Sequence, residues 1–169
     1  MSSYYNKNNS FVQYGIKGEL IAKYYIENIK EEIFLLFNHD DKFDLLSNKF
    51  KYEIKTDSNY IKYNSIFLEF ESNEKESGIK TSRSNKYIFI CPNNNNFEIV
   101  KIFEIETNIL KELIINNKFI IKISTCKDYY NNTYNINKGY IIPEKILIKY
   151  GSSYEIILND FEQLKNLLN

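Results

Sequence analysis

The chain has 169 residues, 43% of them hydrophobic and 16% aromatic, with 22 basic and 22 acidic side chains. That length suits one domain with a substantial core, and that apolar content excludes a disordered chain. The balance of charge excludes net electrostatics as a pointer to nucleic acid, so any basic surface has to be local.

Residues 1–10 are polar, and a loose terminus is expected. From Phe11 to about Phe37, the apolar residues Ile16, Leu20, Ala22, Tyr24, Ile26, Ile29, Ile33 and Leu36 recur at spacings near three and four. This predicts one helix, firm from Gly18 onward, with Glu19 one residue before the apolar face. "NHDDK" is a turn, "KFDLLS" a short strand, and "FKYEIKTD" alternates cleanly. Phe50, Tyr52 and Ile54 take one face of that strand; Lys51, Glu53 and Lys55 take the other. "SIFLEFE" is the next strand, and three strands with short links predict an antiparallel meander. After the polar stretch "SNEKESGIKTSRSNK" come the strands "YIFICP" and "FEIVKIF". A helix over "EIETNILKELIINN" includes Ile105, and "KFIIKIS" is a strand. "TCKDYYNNTYNINK" is a loop, "GYIIP" a strand end, "EKILIKYG" a short helical segment and "YEIIL" a last strand. A closing helix is capped by Asn159 or Asp160. The order predicts a single α/β layered domain over 1–169 with a mixed sheet, its core about 11–103 and a C-terminal elaboration about 104–169.

Cys91 and Cys126 lie in separate segments without a CxxC, as expected of ordinary thiols in a reducing compartment. No apolar run approaches a membrane span, and "MSSYYNKNNS" lacks the apolar stretch of a signal peptide. A soluble intracellular protein is the expectation. Asn, Lys, Ile and Tyr dominate, and Arg83 is the only arginine. A nucleotide bias of the source genome accounts for this, so the Asn clusters mark loops and little else.

Asp44, Glu53 and Lys55 form the constellation that carries chemistry. Residues two apart in a strand point the same way, about 6.6 Å apart. Glu53 and Lys55 therefore share a face, and a tight hairpin sets Asp44 beside Glu53. Two converged carboxylates repel unless a hard cation sits between them. Mg²⁺ accepts one or two carboxylates and completes its shell with water and phosphate oxygens. A neighbouring lysine can hold the attacking water and neutralise developing charge. The plain alternative is a Glu-x-Lys pair on a solvated strand face.

Asp44 with Glu53-Ile54-Lys55 resembles the PD-(D/E)XK nuclease superfamily. That resemblance implies a restriction-endonuclease-like core of helix, three strands, helix and strand (αβββαβ plus C-terminal additions). The order matches over roughly residues 15 to 91, and Glu19 in "GELIAKYYIE" stands where many members carry a first-helix glutamate. The proline that precedes the family's aspartate is absent, since Phe43 is there. "YEIKTD", "IFLEFES", "SGIKTSRSNKYIFI" and "KGYIIP" are similar to segments of small phage and virus nuclease-like proteins. The resemblance implies a Mg²⁺-dependent endonuclease acting on DNA, with Mn²⁺ able to substitute. Asp44 and Glu53 would hold the metal, Lys55 would position water, and Glu19 would assist. Holliday junction resolvase-like members act as dimers, which extends the expectation to a homodimer.

Glu69, in "IFLEFE", is an additional candidate for the metal, with a solvated strand position as its alternative. Lys80, Ser82, Arg83 and Lys86 concentrate hydroxyls and cations that suit phosphate contacts, or else decorate a solvated loop. His39 lies in a surface turn whose adjacent polar side chains do not converge. "YYNNTYN" and "NYIKYN" could stack on unpaired bases. Two further readings stand beside the nuclease. One is a non-catalytic module binding nucleic acid or protein on the same fold; the other is a virion or host-interaction protein.

Overall fold

The computed structural model describes residues 10–38, 42–128 and 133–158. Its first element, α1 (Ser10–Asn28), buries Ile21, Ala22, Tyr25 and Ile26. Spacings of one, four and five residues lay these side chains along one stripe of a helix. The helix stops at Asn28 rather than near Phe37. The Lys30 N–H donates back to Tyr25 O at 3.1 Å, and Glu31 adopts φ 53°, which turns the chain out of the helix. "FLLF" then forms β1 (Phe34–Phe37), because β2 (Leu45–Ser47) offers it an antiparallel partner. In a short apolar run, such pairing overrides helical spacing.

Next come β3 (Lys51–Thr56), the single-turn α2 (Tyr60–Tyr63), β4 (Ser65–Ser72) and β5 (Lys75–Glu76). A 3₁₀ turn at Gly78–Lys80 leads to β6 (Lys86–Pro92), β7 (Ile99–Glu106) and α3 (Thr107–Asn116). The described chain finishes with β8 (Ile120–Asp128), β9 (Thr133–Pro143), α4 (Glu144–Tyr150) and β10 (Ser152–Ile157). One sheet runs β1-β2-β3-β6-β7-β10; the other runs β5-β4-β9-β8. The larger sheet is mixed, since β3 and β6 pair in parallel while its other neighbours are antiparallel.

The expected meander is therefore only half present. β2 and β3 form its hairpin, but β4 leaves for the second sheet and pairs with β9, Ser65 against Pro143. The "TCKDYYNNTYNINK" loop is instead largely a long hairpin, paired from Ile120↔Ile141 to Asp128↔Thr133. Ile105 belongs to β7, not to the following helix. β10 returns to pair with β7, so the C-terminal segment completes the central sheet. The helix expected from Asn159 and the turn holding His39 lie outside the described residues.

Strand alternation assigns the layers. Tyr52, Ile54, Ile88, Ile90, Val100 and Ile102 face α1 and form one core with it. Tyr87, Phe89, Phe103 and Ile105 face the other way, where Ile66, Leu68 and Phe70 of β4 cover them with α3 and α4. The protein is thus α/β, with a mixed central sheet flanked by a helix on one side and by a second sheet with helices on the other. Gly18 brings α1 unusually close to β3: a Cβ there would stand 1.8 Å from Thr56 Oγ1. Among the described residues, no helix is long and apolar enough to cross a membrane.

Candidate active site

The β2–β3 ladder ends at Leu45↔Tyr52, one residue after Asp44, and leaves the Ile54 N–H of β3 without a partner on β2. Asp44 fills the gap. Its own N–H donates to Tyr52 O at 2.8 Å, and its Oδ2 accepts the Ile54 N–H at 2.7 Å. The carboxylate is thereby stitched to the edge of β3, next to Glu53. Glu53 is buried at 7% exposure, and Lys55 Nζ lies 2.7 Å from its Oε1. From α1, Glu19 shares a cavity of about 330 Å³ with Asp44, Lys55, Thr56, Ser58 and Tyr14; Glu53, on the β3 face away from α1, does not line it.

The electrostatics show that these groups feel one another. Burial and then the Asp44 carboxylate push Glu19 from 4.5 up to about 7, against the pull of Lys55. Burial also raises Glu53; Lys55 draws it back, and Asp44 lifts it again. Enclosure would lower the Lys55 pKa, but Glu53 and Asp44 outweigh it and hold the ammonium above its usual value. Lys55 keeps 41% of its side chain exposed, so its charged partners decide its state rather than desolvation. At neutral pH the site holds a protonated lysine between carboxylates, with Glu19 poised to take or give a proton.

Among the described residues, no three His, Cys, Asp or Glu side chains gather closely enough to make a ready metal cage. The donor set is of the two-carboxylate kind, Asp44 with Glu53. The residues fit a hard cation in that sense: Asp44 raises both Glu53 and Glu19 through like charge, a repulsion that a divalent cation relieves. Oxygen donors of this kind are what hard cations such as Mg²⁺ or Mn²⁺ take.

No family model, curated protein or solved structure matches this chain. The remaining expected residues are spread around the site. Glu69 lines a second cavity of about 630 Å³, which also touches Lys55, and its Oε1 accepts the Ser77 hydroxyl at 2.7 Å. Ser82 turns inward at 6% exposure, its hydroxyl 2.9 Å from that of Ser84, and it eases the ionisation of Glu53. Lys80 and Arg83 are exposed, Lys80 pairing with Glu76 at 3.3 Å. Lys86 stands on the α1 face instead, 2.7 Å from Glu104 and over the Phe50 ring.

Tyr87 escaped notice in the sequence, where it is one apolar letter in "YIFICP". It pairs with Glu53 across the parallel β3–β6 ladder and is fully buried. No hydrogen bond of good geometry reaches its hydroxyl; Ser82, engaged by Ser84, stands close enough to ease its ionisation slightly. Burial and then Glu53 raise the Tyr87 pKa, so the group is a neutral donor beside the carboxylate. A tyrosine among Ile and Phe in a buried strand was the one available signal. Tyr14 was missed as well: on α1, its ring packs tilted against Phe97 with centroids 4.7 Å apart, and it lines the small cavity.

Proposed function

We propose that this chain is a metal-dependent nuclease that hydrolyses phosphodiester bonds in DNA, built on a restriction-endonuclease-like core. The observation that carries this reading is the Lys55 ammonium 2.7 Å from buried Glu53, beside an Asp44 carboxylate anchored on the same strand. In this reading Asp44 and Glu53 hold Mg²⁺ or Mn²⁺. The bound cation would supply a water of lowered pKa and would stabilise charge on the phosphoryl oxygens. Lys55 orients the attacking water and neutralises charge as it develops. Glu19, with its pKa near neutrality, takes up a proton at its carboxyl from the α1 side. Exposed Lys80 and Arg83 meet flanking phosphates, while Ser82 steadies Glu53. The strand motif resembles PD-(D/E)XK nucleases of phage and virus type, with junction resolvase-like dimers among the relatives of that kind.

The test is incubation of purified protein with labelled linear, nicked and four-way DNA in Mg²⁺ or Mn²⁺. Cleavage that requires metal and disappears in Lys55→Ala supports the reading. No metal-dependent cleavage of any substrate, with Lys55→Ala indistinguishable from wild type, rejects it.

One observation favours a second reading. Glu53 and Lys55 already neutralise each other, and no three-ligand cage exists among the described residues. A non-catalytic binding module on the same fold would need nothing more. Calorimetric titration with Mn²⁺ separates the two, because the nuclease binds the ion and Asp44→Asn abolishes that binding.

A further inference from the structure

The two cavities described above are not independent. Lys55, Thr56 and Ser58 line both, so the cavity of Glu19 and Asp44 adjoins, at Lys55, the one on the face of the second sheet. We infer that the larger cavity seats an unpaired nucleotide of the DNA strand, adjoining the phosphate to be cut. The inference deepens the nuclease reading and rests on it for the cleavage step, but not for binding.

The lining is that of a base slot rather than a phosphate track. Tyr63, 52% exposed, presents an aromatic face, and Lys122 of β8 stands 5.3 Å above the ring centre. Phe67 supplies a second aromatic wall. Between them lie hydroxyl and amide groups, with the carboxylates of Asp57 and Glu69. A groove that follows a duplex backbone is lined by cations. Here two carboxylates stand inside, each held by donors of the protein: Asp57 by the Asn59 and Phe67 N–H groups, Glu69 by Ser77. Their remaining acceptor capacity suits the amino edge of a base and repels phosphate. Three lysines border the slot: Lys55 where the cavities adjoin, Lys122 on the opposite sheet and Lys62 with its ammonium 5.1 Å from the Tyr63 ring centre, placed for the phosphates that flank one base.

Size argues the same way. A cavity of about 630 Å³ lies within the range of small-molecule sites. A duplex does not enter such a cavity; it receives protein elements in its own grooves. A nucleotide drawn out of the stack, or one already single-stranded, enters with its flat face on Tyr63.

Fluorescence anisotropy in EDTA tests the inference on the full chain, with a labelled single strand, a blunt duplex and the same duplex carrying a short unpaired overhang. We expect the single strand and the overhang to bind about ten-fold or more tightly than the blunt duplex. Tyr63→Ala and Lys122→Ala should each weaken single-strand binding by about ten-fold, and Tyr63→Phe should restore it. Unchanged melting of Tyr63→Ala confirms that the loss is not unfolding, as its exposure leads one to expect. Equal affinity for blunt duplex and single strand, or a Tyr63→Ala protein that binds single strand like wild type, overturns the inference. If such a Tyr63→Ala protein coexists with Lys55-dependent cleavage, the slot falls and the nuclease stands. If Tyr63-dependent binding persists without metal-dependent cleavage, the nuclease falls and the slot stands.

Discussion

Replacing Glu19 by Gln should stabilise the protein above neutral pH and leave it unchanged in acid. Glu19 titrates near 7 in the fold instead of 4.5, first because it is buried and then because Asp44 repels its charge. The folded protein therefore holds this proton more tightly than the unfolded chain does. Below about pH 4.5 both states carry the proton and the residue costs nothing. Between 4.5 and 7 the unfolded chain ionises first, so stability falls as pH rises. Above 7 both states are ionised and the full cost is present. At about 1.4 kcal/mol per pH unit, that cost has a ceiling of about 3 kcal/mol. Gln keeps the shape and removes the charge. Urea denaturation of Glu19→Gln and wild type at pH steps from 4 to 8.5 should show curves that coincide in acid and diverge through neutrality. A difference independent of pH, or a Gln variant less stable than wild type at pH 8, would refute the claim that Glu19 is held against its charge.

Further substitutions probe the same framework. Gly18→Ala places a methyl 1.8 Å from Thr56 Oγ1 and should cost about 1–3 kcal/mol in chemical denaturation, with partial recovery when Thr56→Ala is added. Tyr87→Phe removes a buried hydroxyl that has no partner, so it should leave stability unchanged or raise it by about 1 kcal/mol; a clear loss would mean the hydroxyl is bonded after all. Lys86→Met leaves buried Glu104 with only Lys30 and Tyr25 nearby and should cost about 3 kcal/mol by thermal or urea melting, whereas Lys80→Met, whose Glu76 partner is exposed, should change stability by less than about 0.5 kcal/mol.

What could be read from the chain alone was whatever depends on near neighbours. The strict alternation of Lys51 to Lys55 assigned Glu53 and Lys55 to one face, and they share it, within 2.7 Å of each other. Gly18 and Glu19 on a helix, and Asp44 on the approach to a strand, were also local facts. The failures all involve partners distant in sequence. Residues 34–37 carry helical spacing, and only the β2 edge makes them a strand. β4 has the look of a third meander strand, yet its partner β9 begins at Thr133. The Asn-rich stretch after Ile123 reads as a loop because its composition is biased, and only pairing along Ile120 to Asp128 turns it into a hairpin. The Lys86–Glu104 pair and the meeting of Tyr63 with Lys122 across the larger cavity were invisible for the same reason. Each needs two strands or a strand and a turn to be docked before the side chains meet.

The bare seam between Gly18 and Thr56 has a mechanical meaning. With no side chain of its own at Gly18, the backbone that carries Glu19 rests directly on the short Thr56 side chain, next to Lys55 on the strand. The gauge between those two residues is thus set at this one contact. A designer wishing to retune their separation would have to begin at that seam, one methyl group at a time.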